Sequence, residues 1–208
     1  ITSDGLLVDI ENIVRQRDDA DKIEILSEPE GKNTAPAVGL SLSRYYPAFA
    51  DEILAIFPAD HHVLDVPSFC HTLNRAVQAA ERGYIVTIGI EPDHVETGYG
   101  YIERSNRERN DLEEVFDVLS FREKPDAKTA AMYLDTGNYL WNSGIYIGKV
   151  KTIMEEFAQY LPDISIHLQA GPEHYLRNYS ALPSISIDYG IAEKSHRVTV
   201  VPGRFGWS

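Results

Sequence analysis

Two nearly continuous apolar runs, Glu52-Ile-Leu-Ala-Ile-Phe57 and Tyr84-Ile-Val-Thr-Ile-Gly89, flank a helical period, and this order constrains the fold more than any other feature. Runs of this kind mark strands buried on both faces. Between them, Ser68 to Arg82 puts Phe69, Leu73, Ala76 and Ala80 on one side and ends at Gly83 as C-cap. Strand, helix, strand in that order implies parallel strands joined by a right-handed crossover. The alternation extends outward. Lys22 to Ser27 reads as a strand and Ala35 to Tyr45 as a small-residue helix. Past Gly98-Tyr-Gly100, strands at Tyr101 to Glu103 and Val115 to Arg122 bracket a charged segment, Arg104 to Glu114, read as an exposed excursion. A helix at Lys128 to Asp135, a strand at Tyr139 to Ile147, a helix at Lys151 to Tyr160 and a strand at Arg197 to Val201 complete the pattern. The expected fold class is α/β, a mixed and mostly parallel sheet flanked by helices, in one domain over residues 1–208.

Composition removes several function classes. With 19 Lys+Arg against 32 Asp+Glu the net charge is −13, which disfavours non-specific attraction to nucleic acid or anionic membrane. An acidic chain that binds phosphates must do so locally, with a few placed cations, backbone N–H groups or a divalent metal. The single Cys70 excludes an internal disulfide framework and a multi-cysteine zinc site, and reads as a helix packing residue. No apolar run reaches spanning length and no signal-like start is present, so no membrane partner is expected and the cytoplasm is the default location. The composition leaves a homo-oligomer open.

The polar candidates cluster in short motifs. Phe121-Arg-Glu-Lys-Pro-Asp126 sets a carboxylate beside an ammonium, and Trp141-Asn-Ser-Gly144 sets an amide between an aromatic residue and a small turn. An acid and an amide can hydrogen-bond sugar hydroxyls, and a lysine neutralises a phosphate, so the pair suits a sugar phosphate. Asp60 in Pro58-Ala-Asp-His61 follows directly on a buried strand, where ligands of open α/β sheets gather. A hard oxygen donor there suits Mg²⁺; capping of the following turn is the competing role. His61 and His62 are read as turn residues. Before the first helix, Asn33 or Thr34 can cap and Pro36 fits the first turn, and a helix start also offers an anion site.

Seven segments in order extend this reading: Glu28-Pro-Glu-Gly-Lys-Asn-Thr-Ala-Pro-Ala37, Pro58 to His61, Glu96-Thr-Gly-Tyr-Gly-Tyr-Ile102, Glu123-Lys-Pro125, Trp141 to Gly144, Ser186-Ile-Asp-Tyr189 with Glu193-Lys194, and Gly206-Trp-Ser208. Together they resemble the sugar nucleotidyltransferase family, at its mannose-1-phosphate guanylyltransferase branch. The resemblance implies a Rossmann-like nucleotidyltransferase fold and transfer of a guanylyl group from GTP to mannose 1-phosphate, giving GDP-mannose and pyrophosphate. Carried over by motif, Asp60 holds Mg²⁺, Gly100 offers backbone to the sugar, Glu123 and Asn142 bind its hydroxyls, and Lys124 pairs with its phosphate. Asp188 matches a position near the site, with a helix N-cap as its alternative. Asn33 and Thr34 fall on the nucleotide side.

Glu28 stands where thymidylyl-transferring relatives carry a glutamine. An ionised carboxylate accepts both donors of the guanine edge, so Glu28 is expected to read the base; a solvated strand-end acid is the competing role. Another hexose 1-phosphate with dTTP or UTP, or an inactive sugar-nucleotide-binding regulatory homologue, remains as alternative. The family's glycine-rich triphosphate loop has no counterpart near Ile1-Thr-Ser-Asp-Gly5, and its second metal-binding aspartate would follow Trp207-Ser208. The chain is therefore read as a domain truncated at both ends, without its phosphate loop or C-terminal extension, and inactive by itself.

Overall fold

The structure, a computed structural model, describes residues 1–122 and 124–208. The chain divides into two compact units, Ile1–Ala50 with Met154–Lys194 and Asp51–Ile153 with Ser195–Ser208.

In the first unit, β1 (Thr2–Ser3) is followed by α1 (Leu7–Val14) and pairs in parallel with β2 (Ser27–Glu28). The strand expected over Lys22 to Ser27 is therefore displaced: Ala20–Lys22 is a 3₁₀ turn, and only Ser27 of that run is extended in a ladder. A strand exists only where a partner supplies hydrogen bonds, and Thr2–Ser3 is short. The helix α2 (Thr34–Tyr45) forms almost as read.

The second unit begins with β3 (Ile53–Ile56), α3 (Val66–Glu81), β4 (Ile85–Ile90), β5 (Tyr101–Glu108), β6 (Phe116–Arg122), α4 (Ala127–Thr136) and β7 (Tyr139–Lys149). From there α5 (Val150–Tyr160) carries the chain into the first unit, which α6 (Pro162–Leu168) and α7 (Pro172–Arg177) help complete, before β8 (Val198–Gly203) rejoins the second. α3 starts two residues early because Asp65 caps it, with Oδ1 accepting the Ser68 N–H at 3.1 Å. It stops where Gly83 takes φ +89°.

The sheet order is β3-β7-β4-β8-β6-β5, with β5 also pairing β7. It is mixed, as expected, but among the described residues only β4–β8 is a parallel pair. β3, β4, β5 and β8 run one way; β6 and β7, running the other way, separate most of them. β3 and β4 are thus parallel but not neighbours, because β7 lies between them. That insertion also corrects the burial of the first apolar run. β3 is an edge strand, and Phe57 is 45% exposed. β4, a central strand, is buried at all six positions.

Ala76, Ala79 and Ala80 of α3 pack over Val86, Ile88 and Ile90 of β4, joined by Trp141 and Ile145. Ile102, Phe116, Leu140 and Val200 form a second, smaller cluster. Cys70 lies on the exposed side of α3, not in the packing seam. The charged excursion is more ordered than expected. β5 runs on to Glu108, and Leu112 is buried. Arg104 lies over the Phe116 ring at 4.3 Å and Arg109 over Tyr84 at 4.4 Å, so flat guanidinium groups cover apolar surface there. Among the described residues, no helix is long and apolar enough to cross a membrane.

In the first unit α2 packs against α6 and α7. The closest approach is at Gly39, where an added Cβ would sit on the Tyr175 hydroxyl and 2.9 Å from its Cζ. That hydroxyl donates to the Pro36 carbonyl at 2.9 Å. In an open helix Gly→Ala stabilises by up to about 1 kcal/mol. Here overpacking and a broken buried hydrogen bond oppose it, at about 1–3 kcal/mol for the former alone. Gly39→Ala should therefore lower the urea midpoint with an unchanged m-value. A raised midpoint would mean that Tyr175 moves aside without cost.

Candidate active site

The second unit brings several predicted site residues to one irregularity, a bulge in β7. Thr87 of β4 faces Tyr146 and Gly89 faces Asn142, so three residues, Ser143, Gly144 and Ile145, stand opposite Ile88 alone and the ladder carries two surplus residues. Each surplus group is tied. The Ser143 hydroxyl donates to the Ile88 carbonyl at 2.5 Å and accepts the Ile145 N–H at 3.2 Å. The Gly144 N–H donates to Asn142 Oδ1 at 3.1 Å, which sets the plane of the Asn142 carboxamide. Gly144 takes φ +70°, which disfavours a side chain, while Pro58 Cγ stands at ordinary contact distance, 3.5 Å, from where a Cβ would be.

On its other edge β7 pairs with β5 through Tyr139 to Trp141 and with β3 through Tyr146 to Lys149. The bulge falls between them. The Asn142 N–H donates to the Gly100 carbonyl at 2.8 Å, just before β5 begins, and β3 ends nearby in the turn that carries Asp60. The end of β3, with Asp60 in the turn that follows it, and the start of β5 after Gly100 thus meet β7 on either side of the bulge that carries Asn142.

Asp60 is exposed, and among the described residues its carboxylate accepts no hydrogen bond, so the turn-cap role finds no partner. The turn is anchored on its far side. His62 exchanges backbone hydrogen bonds with Ser208 at 2.8 and 3.1 Å, and the Leu64 N–H donates to the Gly206 carbonyl at 3.0 Å. The two histidines go separate ways, as turn residues do. The His61 ring meets Trp207 edge-on at 5.1 Å, and burial pushes its pKa down; His62 is exposed. Among the described residues no three His, Cys, Asp or Glu side chains gather as a metal site. A donor set of one free carboxylate fits Mg²⁺, which takes one or two protein carboxylates together with substrate phosphates and water.

Aromatic residues surround the bulge; Tyr99, Tyr101, Trp141 and Trp207 lie within the quoted motifs without an assigned role, and His94 lies outside them. Tyr99 meets Trp141 at 5.5 Å and Trp207 at 5.2 Å, and His94 meets Trp141 at 4.8 Å. The Tyr101 hydroxyl pins this loop by donating to the Glu96 carbonyl at 2.7 Å, while the Glu96 carboxylate accepts the Gly98 N–H at 2.6 Å and is thereby held below the usual carboxylate range. A cavity of about 380 Å³ is lined here by Trp141, Phe205 and Trp207 with Glu91 and Arg204. Both indole N–H groups are buried without an acceptor among the described residues. Lys124 is exposed and takes φ +38°, a costly conformation for a residue with a side chain. Glu123 lies outside the described residues.

The remaining candidates belong to the first unit. Glu28, at the end of β2, accepts a hydrogen bond from the Tyr179 hydroxyl. Asn33 is the N-cap of α2, with φ +69° and Oδ1 accepting the Thr34 N–H at 2.9 Å. The Thr34 hydroxyl accepts the Ile187 N–H at 2.8 Å, and the Ala35 N–H donates to the Ile185 carbonyl at 3.1 Å. Pro36 has no N–H, so the donors that a bare helix start would offer an anion are engaged within the protein. Asp188 is not an N-cap. It opens a π-turn, Asp188–Ala192, preceded by Ile187. Irregular helical turns of this kind are frequent at functional sites.

The chain matches the nucleotidyl transferase family model over residues 6–199. It is 37% identical over 198 residues to mannose-1-phosphate guanylyltransferase of Escherichia coli, covering 88% of this chain and 42% of that protein. To the enzyme of the same name from Salmonella montevideo it is 39% identical, covering 89% and 41%. Alginate biosynthesis protein AlgA of Pseudomonas putida is 37% identical, covering 94% and 43%. The chain thus spans about two fifths of the length of these curated relatives. Among solved structures, mannose-1-phosphate geranyltransferase from Thermus thermophilus superposes with a TM-score of 0.85 at 38% identity, covering 96% of this chain and 58% of that one. With a family model running through both units and a relative sharing the fold at such identity, the chain belongs to the nucleotidyl transferase family.

Proposed function

We propose that the protein carrying this chain transfers a guanylyl group from GTP to mannose 1-phosphate. An oxygen of the sugar phosphate attacks the α-phosphorus of GTP; the bond from that phosphorus to the β-phosphate bridging oxygen breaks, and pyrophosphate leaves with the electron pair. A sugar 1-phosphate is already ionised at neutral pH, so no strong general base is needed. The work left to the protein is alignment and charge neutralisation. The observation that carries this reading is the β7 bulge, where β3 ends ahead of the Asp60 turn and β5 begins after Gly100, with Asn142 between them. The identity to guanylyltransferases that act on mannose 1-phosphate supports it.

In this reading Asn142 and Glu123 bind sugar hydroxyls, the Gly100 backbone lines the sugar, and Lys124 meets its phosphate. Asp60 would hold Mg²⁺ with substrate phosphates, and the metal would supply neutralising charge. Glu28 reads guanine, Asn33 and Thr34 fix the turn that presents it, and Asp188 stands on the sugar-phosphate side. Both units are taken as parts of one nucleotidyltransferase domain, since a single family model runs through them. An exposed free Cys70 and dependence on GTP favour the cytoplasm.

Pyrophosphate release by the full-length protein, measured across sugar phosphates and nucleotides, tests the assignment. Mannose 1-phosphate with GTP should turn over fastest, and chelation by EDTA should abolish turnover until Mg²⁺ is restored. Faster turnover of glucose 1-phosphate with dTTP or UTP would overturn the sugar and base assignment, and no turnover of any pair would favour a binding protein.

Lys124 allows activity to be separated from stability. Glycine adopts φ +38° without the cost that lysine bears, about 1–3 kcal/mol for a residue held there. Lys124→Gly should keep or raise the melting temperature while kcat/KM falls on the order of 10²–10³ for loss of a phosphate-neutralising group. Unchanged kcat/KM would remove Lys124 from the site.

A further inference from the structure

Within the first unit, the turn from Glu28 to Pro36 is held by a stretch far downstream. The Lys32 ammonium donates to the Ser180 carbonyl at 2.7 Å and to the Leu182 carbonyl at 3.0 Å, on either side of the 3₁₀ turn Tyr179–Ala181. The Tyr175 hydroxyl donates to the Pro36 carbonyl, and the Ile187 N–H donates to Thr34. In the middle of this clasp the Tyr179 hydroxyl donates to Glu28 Oε2 across 151 residues of sequence. The Tyr179 ring is fully buried, edge-on to Tyr175 at 5.8 Å.

We propose that Tyr179 is a positioning residue for base selection, its hydroxyl fixing the Glu28 carboxylate in the orientation that accepts both donors of the guanine edge. The inference rests on the reading of Glu28 as the group that meets the base. A carboxylate has about four acceptor sites, and a single donor on Oε2 leaves enough of them for two parallel N–H groups. Among the described residues Tyr179 is the one hydrogen-bond donor to that side chain. A free glutamate side chain loses rotamer freedom when it binds, and a carboxylate held beforehand has already met that cost. Burial first, and the Glu28 bond second, push the Tyr179 pKa far upward, so the hydroxyl stays a donor at any working pH.

The test compares GTP with ITP, which keeps N1–H and lacks the 2-amino donor, in the full-length protein and its Tyr179→Phe, Glu28→Gln and double variants. Tyr179→Phe should raise the KM for GTP and cut the GTP-over-ITP preference roughly ten-fold, while the KM for mannose 1-phosphate holds. In the Glu28→Gln background the same change should bring no further loss, since Tyr179 acts through that carboxylate. If Glu28→Gln shifts GTP against UTP but Tyr179→Phe leaves the GTP-to-ITP ratio alone, or weakens both nucleotides equally in both backgrounds, the positioning role is overturned and the Glu28 reading stands. If Glu28→Gln leaves base preference unchanged, that reading fails and the positioning role falls with it. Should Tyr179→Phe unfold at the assay temperature, GTP and ITP binding titrations in the cold supply the same ratio.

Discussion

The hydrogen bond from the Ser143 hydroxyl to the Ile88 carbonyl is the contact on which the second unit turns. It lets a buried central strand tolerate surplus residues in its neighbour, because the carbonyl left without its ladder partner still meets a donor. With that site satisfied, β7 can pair with β4 on one edge and divide its other edge between β5 and β3. A regular ladder would close the gap. The bulge therefore fixes which strand ends meet, and the polar groups that meet there come from parts of the chain otherwise far apart.

Charge explains why so few cations serve the site. In a chain of net charge −13, most arginines seen here are tied to acids or laid over rings: Arg109 donates to Asp117 and covers Tyr84, Arg75 pairs with Glu113 and Glu114, and Arg204 pairs with Glu91. Lys32 is spent on two carbonyl groups. Lys124 is exposed, on a backbone at φ +38°. Phosphate recognition in such a chain depends on where a few charges stand, not on a general positive field.

The periodic elements were legible because they rest on local chemistry. The helix before Gly83, the helix ending at Gly137 and the buried β4 all follow from apolar spacing and a glycine stop. Neighbour order was not legible. A strand–helix–strand pattern says that two strands are parallel, and nothing local says that β7 will enter between them. The same boundary runs through the site. Asp60 and Asn142 announce themselves by residue type in short motifs, and Gly100 enters only through the resemblance. Tyr179 and Tyr175 look like any buried tyrosines until the fold carries them to Glu28 and Pro36. The helix start at Asn33 misleads in the opposite sense: its sequence suits an anion, but Asn33 Oδ1 and the Ile185 carbonyl have already taken the Thr34 and Ala35 N–H groups.

The position of β8 has a consequence for how the molecule is made. This strand leaves the ribosome after the five others of its sheet, yet it belongs between β4 and β6, with Val198, Val200 and Val201 fully or almost fully buried. Until it arrives, the nascent sheet has an open slot between β4 and β6, which cannot yet pair with each other. The first unit waits as well, since Met154–Lys194 must join Ile1–Ala50. Closing such long-range contacts is slow, and the open edges meanwhile invite pairing with other chains. Elongation speed and chaperone capture while residues 154–203 emerge therefore bear on the yield of this protein more than the stability of any one helix does.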